Sequence, residues 1–118
     1  MAGDYDIALI SETYVGSGDQ VKSVIGIETY QFFTGSRVKA CILAKPGCGS
    51  ILGLSQFSTS NFCVIKLTTG NRNVYIASIY VEPGRDELAT LDKLDVFLKD
   101  TGDVHKIVRG DLNGWHPI

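Results

Sequence analysis

The chain has no apolar run approaching the roughly 18 to 20 residues that cross a bilayer. Its first residues, Met1 to Asp6, are polar and acidic rather than signal-like, so a soluble protein without a membrane partner is expected. Cysteine is scarce: Cys41, Cys48 and Cys63 make an odd set of three with no Cys-x-x-Cys pair, which argues against a disulfide framework and for reduced intracellular thiols. Cys41 and Cys63 sit inside apolar runs, where a small hydrophobe is expected. Positive charge is not in excess either. Eleven Lys and Arg against thirteen Asp and Glu leave a formal net charge of -2, and the pI is about 5.6. The chain as a whole is therefore no basic groove for nucleic acid, and any phosphate chemistry must rest on a bound cation or on local positive charge. Internal repeats and low-complexity tracts are absent.

What is present suits one folded core. At 118 residues, 44% hydrophobic and 20% charged, the chain is too apolar for a disordered tail. Ile7 to Ile10 is a short apolar run that suits a strand buried on both faces, whose end delivers Ser11, Glu12 and Thr13 to a sheet edge. Gly16 to Asp19 reads as a loop and Ile25 to Phe33 as a weakly alternating strand. Arg37 to Ala44 alternates and stops at the turn signature Lys45-Pro-Gly47. Phe62 to Leu67 and Val74 to Val81 read as an antiparallel hairpin turning at Gly70 and Asn71. In its second arm Tyr75, Ala77, Ile79 and Val81 fill one face while Val74, Ile76 and Tyr80 fill the other, the pattern of a central strand covered on both sides.

Beyond Glu82-Pro-Gly84 the period changes. Leu88, Leu91, Leu94 and Leu98 recur at helical spacing, with Asp86 as a candidate N-cap and Gly102 just past the last turn. Val104 to Val108 then reads as a strand leading into Arg109-Gly-Asp-Leu-Asn113. The sum is an α+β chain with a helix packed on a sheet.

Glu12, after the first strand, and Asp111 with Asn113, after the last, are the candidate chemical groups, because acids at strand ends can converge on one sheet edge. Hard divalent cations take oxygen ligands and keep several waters beside one or two carboxylates. Each residue also has an ordinary explanation. Two acids among thirteen can be plain surface charge, Tyr80 can be a packed core tyrosine, and Asn113 can be a turn residue. Trp115 and His116 can anchor a loop.

The stretches Asp6-Ile-Ala-Leu-Ile-Ser-Glu-Thr-Tyr-Val15, Val38-Lys-Ala-Cys-Ile-Leu43, Asn73-Val-Tyr-Ile-Ala-Ser-Ile-Tyr-Val-Glu-Pro83 and Gly110-Asp-Leu-Asn-Gly-Trp-His-Pro117 resemble, in order and interval, the endonuclease domain of non-LTR retrotransposons. This is a branch of the endonuclease/exonuclease/phosphatase superfamily, and Trp115-His-Pro117 after the Asp-x-Asn pair resembles that branch more than the repair enzymes or the phosphatases. The resemblance implies a four-layered α/β sandwich, two mainly antiparallel sheets flanked by helices, of which residues 1–118 are a part. It implies Glu12 as metal ligand for Mg²⁺, or alternatively Mn²⁺. Tyr80 would help hold the scissile phosphate, Asp111 would position or deprotonate the attacking water, and Asn113 would orient phosphate and nucleophile.

DNA would be the substrate, a reverse transcriptase domain the companion in a full-length polyprotein, and the nucleus the location. Ser11 stands where the family usually has Gln, and Leu112 where Phe is common. The family's first, Asn-bearing strand would precede this chain, and its late aspartates and terminal Asp-His pair would follow Ile118. Neither His105 nor His116 takes that histidine's place, so the resemblance implies a domain truncated at both ends and an inactive chain. Two other readings stand beside the nuclease: a phosphatase of phosphoinositides or other phosphoesters in the same superfamily, and a non-catalytic remnant.

Overall fold

The computed structural model describes residues 7–11, 26–32, 37–47, 49–81 and 87–111, with the backbone alone at Ser11, Glu87 and Asp111. Seven strands, one short 3-10 turn and one α-helix follow one another there. They are β1 (Ile7–Ser11), β2 (Glu28–Tyr30), β3 (Ala40–Ala44), β4 (Ser50–Gly53), the 3-10 turn Ser55–Phe57, β5 (Phe62–Thr69), β6 (Arg72–Tyr80), α1 (Glu87–Thr101) and β7 (His105–Asp111). The strands form two sheets, one ordered β1-β3-β2 and one ordered β4-β5-β6-β7.

The hairpin β5–β6 is where local sequence speaks most directly. Thr69 pairs with Arg72, which leaves Gly70 and Asn71 as a two-residue turn, and Gly70 takes the left-handed φ of 59° that primed hairpin turns need. Alternation along β6 then sorts its side chains as the pattern predicts. Ala77, Ile79 and Val81 join Phe62, Val64 and Phe97 in one buried cluster. Ile76 joins Ile42, Cys63 and Ile65 in a second. The first lies between the larger sheet and α1, the second between the two sheets. The described residues thus build a helix-on-sheet-on-sheet arrangement, an α+β fold consistent with the expected sandwich.

Three differences from the sequence reading have physical reasons. The core-facing stripe of α1 is carried by Thr90, Leu91, Leu94 and Phe97, whereas Leu88 is 75% and Leu98 43% exposed. The leucine spacing fits a helix, but it is the bulk of Phe97 that fits the gap above β5 and β6. Next, β4 and the following 3-10 turn were not legible. They are held by tertiary bonds: Leu54 N donates to Val64 O at 2.9 Å, Ser58 Oγ donates to Leu54 O at 2.7 Å and Val64 N donates to Ser58 Oγ at 3.0 Å. Lastly, β7 starts at His105, and Val104 is left 42% exposed. Gly102, at φ 59°, closes α1 as its alternation-free position past the last turn suggests. Asp86 lies outside the described residues.

The buried thiols carry a pH consequence. Burial pushes Cys41 up to about 11. It also pushes Cys63 up to about 12, with the neighbouring Cys41 adding to the shift. A folded state that disfavours thiolate contributes its full stability below the ordinary thiol value of 9.0 and loses it as pH rises towards about 12. The urea midpoint should therefore drop more between about pH 8 and about pH 10.5 in the wild type than in Cys63→Ala. Equal drops would show that Cys63 does not titrate across that window.

Candidate functional site

The strand ends, rather than the side chains, first define a site. β6 and β7 run parallel, as the intervening helix allows, and their register sets Tyr80 opposite Asp111. β1 runs antiparallel to β3 with Ser11 opposite Ala40, so the C-terminal end of β1 meets the N-terminal end of β3. One hydrogen bond fixes the sheets to each other near this edge: the fully buried Ser78 donates its Oγ to Ile10 O at 2.7 Å. Ser78 stands two residues before Tyr80, and Ile10 two residues before Glu12.

A tight turn completes the edge. Thr59 N donates to Phe62 O at 2.7 Å, and Asn61 N donates to Thr59 Oγ1 at 3.1 Å, so the 59–62 segment is closed by its own polar groups. Its carbonyls then serve both sheets. Ser60 O accepts from Lys39 N at 2.8 Å and from Ala40 N at 3.1 Å, while Asn61 O accepts from Tyr80 N at 2.9 Å. The starts of β3 and β5 and the end of β6 are thus tied at one point, with Asp111 on the other side of Tyr80 in the sheet.

Tyr80 is 5% exposed, and the Lys39 ammonium stands over its ring at 5.4 Å from the centroid. A cation on a ring face is held by the ring quadrupole, worth about 0.5 to 1 kcal/mol when solvent is near. Arg37 and Arg109 add exposed positive charge, Arg37 two residues before Lys39 and Arg109 two residues before Asp111. These cations stand close in sequence to the same strand ends as the candidate carboxylates Glu12 and Asp111.

Of the four residues singled out from sequence, Tyr80 and the backbone of Asp111 are brought together by strand register. Glu12 and Asn113 lie outside the described residues, as do Trp115 and His116. Glu12 follows directly on Ser11 at the end of β1. Among the described residues no group of three or more His, Cys, Asp or Glu side chains comes together. The carboxylates singled out from sequence, Glu12 and Asp111, are hard oxygen donors of the kind Mg²⁺ takes, and both side chains lie outside the described residues. Sequence reasoning missed Lys39 and Ser78. The one signal for Ser78 was a small hydroxyl in an otherwise apolar strand centre. Lys39, at the mouth of the run Ala40–Ala44, carried no signal of its own.

No helix among the described residues is long and apolar enough to cross a membrane. No protein-family model matches the chain, and no curated protein matches it. Among solved structures it is similar to the endonuclease domain of TRAS1, a telomere-specific non-LTR retrotransposon, with a TM-score of 0.75 and 25% sequence identity. The match covers 90% of this chain and 46% of that one, so the chain spans about half the length of the solved domain it matches.

Proposed function

We propose that these residues are part of a metal-dependent phosphodiesterase that nicks DNA, as a retrotransposon endonuclease does to prime reverse transcription. The observation that carries this is the likeness of fold to an endonuclease domain over 90% of the chain. The opposition of Tyr80 and Asp111 at the strand-end edge, with the Lys39 ammonium over the Tyr80 ring, supports it. DNA is then the substrate, the nucleus the place of action and a reverse transcriptase domain the companion in the same polyprotein.

The residues divide the work by chemical type. Asp111 takes the proton of a water aimed in line at phosphorus. The Tyr80 hydroxyl and the Asn113 amide donate hydrogen bonds to the phosphate oxygens as charge builds on them. Glu12 would hold Mg²⁺, or Mn²⁺, which when bound supplies neutralisation of phosphate charge. Ser78 keeps the end of β1, which Glu12 follows in sequence, aligned with β6, which carries Tyr80.

Supercoiled plasmid with Mg²⁺ tests this on the polypeptide that carries these residues, at whatever length its gene encodes. Asp111→Ala should lower nicking on the order of a hundredfold or more, as expected for removal of a general base. Nicking that survives Asp111→Ala unchanged would take Asp111 out of the site. Phosphate release from an inositol phosphate, with plasmid left intact, would favour the phosphatase reading. Inertness towards both would favour a non-catalytic remnant.

A further inference from the structure

Lys39 is the residue at this edge that neither strand pattern nor family likeness assigns. Two contacts set its position. The backbone N–H is tied to Ser60 O at 2.8 Å, which fixes where the side chain leaves the backbone just ahead of β3. The ammonium ends over the Tyr80 ring at 5.4 Å, and the 59–62 turn binds Tyr80 itself through its backbone. A ring face holds a cation in place and leaves it ionised. In a chain with a net charge of -2, a cation fixed at the strand-end edge matters more to an approaching polyanion than the average surface does.

We propose that Lys39 is a phosphate-binding residue of this site, seated on the face of Tyr80 to receive one backbone phosphate of the nucleic acid. The seat explains why the lysine lies partly buried against an aromatic ring. Tyr80 holds the ammonium through its ring face. Lys39 is thus a binding residue through its charge. The proposal rests on the phosphodiesterase reading, and its test separates the two.

The probe is a fluorescein-labelled DNA duplex, with binding to the polypeptide followed by anisotropy across a range of salt concentrations. Each neutralised phosphate contributes a slope of about 0.9 to the fall of log affinity with log salt. Lys39→Gln should therefore flatten the slope by about 0.9, and weaken binding on the order of eightfold at about 0.1 M salt. Lys39→Arg should restore both, because arginine keeps the charge and stacks on a ring. Lys99→Gln removes the same charge from α1, where Lys99 pairs with Asp95 at 2.9 Å, and should leave the slope unchanged. Thermal melts confirm that each variant is folded, and Lys39→Met, which keeps the apolar stem without the charge, takes the place of the glutamine variant should that one melt early.

An unchanged slope in Lys39→Gln, or equal flattening in Lys99→Gln, would overturn the proposal and leave the nuclease reading standing. A slope near wild type with Lys39→Arg and a flattened one with Lys39→Gln would support it. Absence of duplex binding by the wild type would overturn both.

Discussion

Gly110→Ala is expected to cost about 3 kcal/mol or more, and to lower the melting temperature by roughly 10 °C or more. Gly110 lies inside β7, opposite Ile79 of β6, with a φ of 156°. A Cβ at this position would run into the Ile79 carbonyl oxygen, and would stand 2.7 Å from the Ile79 carbonyl carbon and 2.8 Å from its Cγ2. Two of these are backbone atoms in the centre of a sheet, and they cannot swing aside as a flexible side-chain tip can. The strain must be relieved by moving β7 away from β6, which breaks parallel ladder bonds and displaces Asp111 from its place opposite Tyr80. If the proposed nuclease reading holds, the same substitution should also reduce nicking at temperatures where the variant is still folded. Urea unfolding gives the stability term directly, and a loss under about 0.5 kcal/mol, the scale of a neutral surface change, would mean the close approach is not real.

Phe97→Ala should be comparably damaging for the opposite reason, since it removes atoms instead of adding them. Phe97 is fully buried. Its ring meets Phe57 edge-on at 5.5 Å and Phe62 edge-on at 5.8 Å, and stacks on Tyr75 at 6.2 Å. Truncation leaves a cavity at this contact that the surrounding side chains close only in part. A loss of about 3 to 5 kcal/mol is expected, again read from urea unfolding. Leu98→Ala, one residue on and 43% exposed, should cost far less. Equal losses at the two positions would place the core-facing stripe of α1 on the leucines after all.

Those two helix positions also show where the sequence is legible. Helical period can be read without the partner, and α1 was found that way, but which face meets the sheet depends on the shape of the gap. That gap is defined by Phe57 and Phe62, residues some 40 and 35 positions away. The β5–β6 hairpin was fully readable because its turn, alternation and register are local. The meeting of Tyr80 and Asp111 at one edge was expected only through the resemblance, because a parallel pair separated by a helix leaves no periodic trace. The resemblance supplied both residues as candidates, and strand register supplied their neighbourhood. Lys39 and Ser78 act through contacts with β6 and β1, elements distant in sequence, so composition and spacing had nothing to offer for them.

The Ser78–Ile10 bond joins residues 68 apart in the chain, and this separation bears on the order in which the molecule assembles. Closing a loop of that length costs roughly 4 kcal/mol of chain entropy, while one hydrogen bond returns only about 1 kcal/mol net. The bond therefore cannot draw the two sheets together. Apolar contact between Ile42, Ile65 and Ile76 must do so first, and the serine then selects among nearly equal ways of laying one sheet on the other. It acts as a late check on alignment: an arrangement shifted by one residue would bury an unpaired hydroxyl, and would be rejected for that reason.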